Sequence, residues 1–208
     1  MPALATKLGE TIDSAIGLSR TGESIRNNPV YPGIRRELTS ARMELLYEMS
    51  YLRLFSAWEG FVEETLLRML CDYRSRLYTP SFQPGITRFT DLAAARASLF
   101  RGRPYLLWYD PDDIQKRCRH YLTGSPQESV ATSNKARLQW FAAIRHGIAH
   151  NAPDAMGKVD TASMALAGRR FPGSRPGKLL AAPDPSTNLR FLYSIAAEFR
   201  NLSLQIAP

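Results

Sequence analysis

Cysteine is scarce in this sequence: two among 208 residues, Cys71 and Cys118, far apart along the chain. A chain of this length buries roughly 70% of its unfolded surface, so its core needs neither disulfides nor metals. Nothing demands a bridge between the two thiols. Cys71 falls in a strongly helical apolar stretch, where a reduced, buried cysteine acts as a small hydrophobe. Long apolar runs are also missing, and none approaches the ~20 residues that a membrane helix needs. Met1 to Arg20 lacks a basic start followed by an apolar block, and Glu10 and Asp13 interrupt it, which makes a poor secretory signal. These absences predict a cytoplasmic protein with no membrane association. Internal repeats and low-complexity tracts are lacking too.

Positive charge is what the chain has in excess. The formal net charge is +8 and the pI about 9.8, from 27 basic residues against 19 acidic ones. Most of the basic residues are arginines, whose planar fork suits phosphate better than lysine does. The balance argues for a polyanionic partner such as RNA, although many basic proteins only present solvated positive faces.

Apolar spacing is helical almost throughout. Leu4, Leu8, Ile12, Ala15 and Ile16 predict a first helix over Ala3–Ser19, part of an N-terminal helical extension spanning residues 1–35. From Arg36 to Leu77 a dominant stripe runs through Leu38, Ala41, Leu45, Met49, Leu52, Ser56, Val62, Leu66, Met69, Tyr73 and Leu77. Leu46, Phe55, Trp58 and Phe61 widen it, so several other helices should wrap around this element. Gly60 is the expected site of a kink or a close helix contact. Shorter helices follow at Asp91–Phe100, after Asp110-Pro111, and after Ser133-Asn134, where Leu138, Phe141, Ile144 and Ile148 share a face. Residues 154–185, with Arg169-Arg170-Phe171-Pro172-Gly173 and Arg175-Pro176-Gly177-Lys178, read as a basic, Pro/Gly-rich, mobile loop. Pro185-Ser186 opens the last helix, through Leu189, Leu192, Ile195, Phe199 and Leu202. The expectation is one all-α domain over residues 1–208: a helical bundle with long connections and an irregular basic loop before the C-terminal helix.

The chemistry concentrates at the end of the third predicted helix after the long one, in Arg145-His146-Gly147-Ile148-Ala149-His150. His146 and His150 are four apart and share a helix face. A histidine gives or takes a proton near neutrality, and a neighbouring arginine can grip phosphate through a bidentate pair. Such a set supplies what phosphodiester cleavage needs without a metal: a group that moves the 2′-OH proton and another that stabilises the charged phosphorane.

The run Ile144–Asn151 resembles the R-x4-6-H signature of the HEPN superfamily, with His146 at the usually polar position after the arginine. Ser56-Ala57-Trp58-Glu59-Gly60-Phe61-Val62-Glu63-Glu64 is similar to the long early helix of prokaryotic HEPN-like nuclease families. The resemblance covers Glu37–Pro208, and only the short motif is specific. It implies a HEPN-like α-helical bundle that pairs as a homodimer with two motifs facing each other. The implied activity is metal-independent RNA cleavage by an endoribonuclease, in a toxin–antitoxin or phage-defence setting with an antitoxin or defence-system partner. Arg145 would then bind the scissile phosphate, His150 would act as acid or base, and His146 would position or polarise. Arg137, Asn151, Arg169 and Arg170 would contact RNA, and no metal or cofactor is expected. Some HEPN toxins carry a modifiable tyrosine two residues after the histidine; Ala152 stands there, so that form of control is not supported. The alternative is a non-catalytic helical adaptor that binds a partner protein or nucleic acid.

Other patterns are weaker. His146 and His150 have helical metal-pair spacing, but Gly147 replaces the glutamate of the metalloprotease motif. Gly173–Lys178 has too few residues between its glycines for a phosphate loop, and Leu179 stands where Ser or Thr would bind Mg²⁺. Glu59 and Glu63 could present paired carboxylates near Arg145, although a solvated helix face explains them as well. Trp58, Trp108 and Trp140 read as core or interface.

Overall fold

A computed structural model describes residues 2–30, 32–76, 78–150 and 152–207. The fold is all-α: among the described residues there are ten α-helices, one 3-10 turn at Pro172–Ser174, and no strand beyond two isolated bridges. The helices are α1 (Pro2–Asn27), α2 (Pro32–Glu37), α3 (Ser40–Leu70), α4 (Leu92–Phe100) and α5 (Pro111–Tyr121). They continue as α6 (Pro126–Ser133), α7 (Lys135–Ala149), α8 (Pro153–Ala167), α9 (Pro176–Ala181) and α10 (Phe191–Ile206). No helix among the described residues is long and apolar enough to cross a membrane.

The chain forms two compact units, and α1, α3, α7 and α10 contribute segments to both. The first unit comprises Met1–Gly9, Trp58–Gln139 and Phe199–Pro208. Its core is aromatic: Trp58 stacks on Phe199 with centroids 4.9 Å apart and on Phe61 at 5.9 Å. A buried side chain of this kind contributes roughly 2–3 kcal/mol through burial. The helices begin where local chemistry dictates. Asp91 caps α4 by accepting from the Ala94 N–H at 2.8 Å, and Asp110 caps α5 by accepting from Asp112 N–H ahead of Pro111. Ser125-Pro126 opens α6 in the same way, a helix the periodicity does not reveal because it is only two turns long. The long connection between α3 and α4 is pinned to the end of α5, where Gln83 N–H donates to Tyr121 O and Thr123 N–H to Ser81 O.

Glu63 lies in this unit, where it pairs with Arg96 and accepts from the Trp108 indole N–H at 2.7 Å. Its role there is structural, anchoring α4 and the segment before α5 to α3. Of the two readings left open for Glu63, a carboxylate paired with Glu59 or a solvated helix face, neither describes these contacts.

The second unit comprises Glu10–Ala57 and Trp140–Glu198. Here α3 differs from the sequence expectation. Leu45 and Met49, on the expected core stripe, are 56% and 53% exposed, whereas Met43, Tyr47, Tyr51, Leu54 and Phe55 are buried. Two apolar stripes compete on this helix, and the one carrying the larger aromatic surfaces goes inside. Tyr51 is fully buried, and its hydroxyl donates to the carbonyl oxygen of Phe141 at 2.8 Å, tying α3 to α7. The helix is continuous through Gly60, with no close neighbour there, and ends at Leu70. Cys71 therefore sits in the turn beyond it, half-buried rather than in a helical core, and both thiols are free. Leu77 lies outside the described residues.

Residues 154–185 are not one loop. α8 occupies the first half because Ala155, Val159, Ala162 and Leu166 repeat at helical spacing and are buried, and Gly168 ends it in the left-handed region. The breakers act only from Gly168 to Arg175. Beyond them α9 is clamped onto α3: Gly177 N–H donates to Glu48 Oε1 at 2.9 Å, and Arg175 pairs with Glu44 at 3.3 Å. A Cβ at Gly177 would lie 2.8 Å from the Glu44 carbonyl oxygen, so only glycine fits.

Candidate active site at the end of α7

α7 buries Leu138, Phe141 and Ile144 and half-buries Ile148, so Arg145, His146 and His150 project from its other sides. The helical hydrogen bonding persists to the end, since His150 N–H donates to His146 O at 2.9 Å. That register stacks the two imidazoles, with ring centroids 4.6 Å apart and planes inclined at 50°. Arg145 and His146 are half-buried, and His150 is exposed.

The glycine within the motif is a packing residue. A Cβ at Gly147 would stand 2.2 Å from Val159 Cγ2 and 3.4 Å from Pro176 Cγ. Its bare surface lets α8 fold back closely against α7, and that contact brings two charged groups into the field of His146. Burial is the largest influence on this imidazole and pushes its pKa below the usual histidine value. His150, Lys158 and Arg145 push it further down, while Asp154 pulls it up. These influences favour the neutral form of His146, which can accept a proton or a hydrogen bond. Two imidazoles this close do not readily carry positive charge together.

Asp154 and Lys158 are absent from the motif as read in the sequence. The available signal is their spacing of four on α8 immediately after the turn, with Asp154 in the first turn, where the helix dipole favours an acid.

Of the other expected RNA contacts, Arg169 and Arg170 are not gathered at this point. Arg137 is half-buried and belongs to the first unit, two helical turns before Arg145 in sequence. Arg169 and Arg170 are exposed beyond the far end of α8, whose 15 residues carry the chain on the order of 22 Å from its start. The Arg169 guanidinium lies over the Phe171 ring, 4.9 Å from its centroid. Asn151 lies outside the described residues. No group of three His, Cys, Asp or Glu suited to hold a metal ion occurs among the described residues. Cys118 is buried in the first unit, and His120 accepts a hydrogen bond from Arg101 there.

Chemically, the end of α7 offers a cation, an imidazole biased towards its neutral form and a second imidazole open to solvent, the two rings 4.6 Å apart. Compared with family models, with curated proteins and with solved structures, the chain matches none.

Proposed function

We propose that this protein is a metal-independent endoribonuclease of the HEPN type, acting as a homodimer in a toxin or phage-defence setting. The observation that carries the reading is the imidazole pair at 4.6 Å, on the accessible end of α7 and next to Arg145. In the proposed reaction His150 takes the proton from the ribose 2′-OH, and O2′ attacks the adjacent phosphorus. The P–O5′ bond breaks, the leaving oxygen is protonated, and the products carry 2′,3′-cyclic phosphate and 5′-hydroxyl ends. Arg145 binds the non-bridging oxygens, where charge grows most in the transition state. Neutral His146 positions or polarises the phosphate as an uncharged partner. Two motifs facing each other across a dimer would complete the acid–base set, and the net charge of +8 supports a polyanionic substrate.

The test is RNA cleavage by wild type, Arg145→Ala and His150→Ala in the presence of EDTA, with the product ends analysed. The expected result is chelator-resistant cleavage leaving cyclic or 3′-phosphate ends, reduced roughly 100-fold or more in each variant. Folded wild type that is inert on varied RNAs, or variants that cut equally well, would instead favour a non-catalytic adaptor. The exposed apolar pair Leu45 and Met49 on α3 is what that second reading would draw on.

A further inference from the structure

A second basic site occupies the first unit, remote in sequence from the α7 motif. Arg101, Arg103, Lys116 and Arg117 line a concavity of about 280 Å³ between the end of α4 and the outer face of α5. No carboxylate is among its lining residues. The backbone brings the two elements' cations together. Arg101, the C-cap of α4, adopts φ 48°, and Gly102 follows at φ 77°, turning the chain so that Arg101 and Arg103 both line the pocket. Lys116 and His120, four apart on α5, come from the opposite wall. Buried Leu99 and Tyr121 give the pocket a low-dielectric lining.

Compensation for this charge is incomplete. Asp113 is shared between Lys116, at 3.8 Å, and Arg117, at 3.4 Å. Among the described residues neither Arg101 nor Arg103 forms a salt bridge with a carboxylate. Arg101 instead donates to the Nε2 of His120 at 2.7 Å, an uncharged acceptor in that arrangement. Arg117 is held in place by its carbonyl partner Leu107 and by stacking over Trp108 at 4.8 Å. Burial pulls its pKa down and the Arg103 charge adds to that effect, while Asp113 and Asp110 pull it part of the way back. A concave surface with surplus guanidinium forks is complementary to a compact dianion that accepts several charge-assisted hydrogen bonds. The volume suits a phosphate with an attached sugar and is too small for an extended strand.

We propose that the pocket at the α4–α5 junction binds a phosphate monoester, supplied by a mononucleotide or by the 5′-phosphate of an RNA end. The proposal does not depend on cleavage at α7. The test is calorimetric titration of the full chain with inorganic phosphate, adenosine 5′-monophosphate, adenosine, and a 2′-O-methyl oligonucleotide with either a 5′-phosphate or a 5′-hydroxyl. The 2′-O-methyl groups remove the internal nucleophile, so the readout is binding alone. Phosphate-bearing probes should bind roughly tenfold or more tightly than their unphosphorylated counterparts, and Arg101→Gln/Arg103→Gln should lose that preference. Arg101→Lys/Arg103→Lys should retain most of the binding of inorganic phosphate. The nucleotide binding while the 5′-phosphorylated oligonucleotide does not would identify a free nucleotide as the source. The oligonucleotide binding more tightly than the nucleotide would identify an RNA end. Should the double glutamine variant fail to fold, Lys116→Gln on the exposed side of α5 must weaken phosphate binding by itself. No binding of any phosphate probe to folded wild type at millimolar concentration overturns the proposal, as does undiminished binding by a folded glutamine variant.

Discussion

Gly147 of α7 meets Val159 of α8 so closely that a single added methyl would stand 2.2 Å from the valine Cγ2. The contact lies between His146 and His150 in sequence, so the same residue that seats α8 brings Asp154 and Lys158 into the field of His146. Backbone packing and site electrostatics are therefore one problem here.

Replacing Gly147 by alanine sets two effects against each other. Helix propensity favours alanine by ~1 kcal/mol. Overpacking against a stiff β-branched side chain in a buried contact costs about 1–3 kcal/mol. A Cβ 2.2 Å from Val159 falls in the severe part of that range, so Gly147→Ala should be net destabilising by about 1–2 kcal/mol in urea denaturation. Val159→Ala in the same chain should recover much of the loss, giving strong non-additivity in a double-mutant cycle. A Gly147→Ala protein more stable than wild type would mean that α8 does not pack there.

Much of the fold is legible in the sequence because its signals are local. Asp110-Pro111 announces α5 as a cap, the stretch from Asp91 to Phe100 locates α4, and the buried face of α7 follows from Leu138, Phe141 and Ile144. What spacing alone does not decide is which of two apolar stripes on α3 goes inward. Leu45 and Met49 satisfy helical periodicity as well as Tyr47 and Tyr51 do, and only tertiary packing chooses between them. α8 is obscured by composition, since the Pro/Gly-rich stretch after Gly168 colours the reading of the helix before it. At the site, Arg145, His146 and His150 are contiguous enough to find by eye. Asp154 and Lys158 join them only through the Gly147–Val159 contact, which a linear pattern cannot express.

Glu48 gives a test of the clamp between α3 and α9. Burial is the main cause of its raised pKa, and Glu44 pushes in the same direction. The Gly177 N–H and the Arg175 charge pull it part of the way back. A carboxyl whose folded pKa exceeds its unfolded one destabilises the fold while ionised, and that penalty is relieved as pH falls through the folded pKa towards the ordinary value of 4.5. Glutamine keeps an oxygen that accepts from Gly177 N–H without the buried charge. Glu48→Gln should therefore equal or exceed wild type in stability at neutral pH, with the gap closing in acid. Glu48→Ala should be less stable by about 1 kcal/mol, because the Gly177 N–H loses its acceptor. A glutamine variant as weak as the alanine one would show that the negative charge itself holds α9.

The most direct probe of the proposed site is the titration of His146. Its folded pKa is depressed, first by burial and then by His150, Lys158 and Arg145. Between the depressed folded value and the unfolded value of about 6.5, the unfolded chain binds more protons than the folded one. Stability should consequently fall as pH drops below the ordinary histidine range, and His146→Gln should flatten that slope. Ring resonances followed by NMR should place the His146 midpoint below about 6.5. The midpoint should rise in His150→Gln and in Lys158→Gln, each of which removes a positive or protonatable neighbour, and fall in Asp154→Asn, which removes the one favourable charge. Bound phosphate should raise it as well, because an anion beside the ring stabilises the imidazolium. His146 titrating at or above the ordinary value, unmoved by these substitutions, would mean that the two helices do not create the environment on which the assigned neutral role depends.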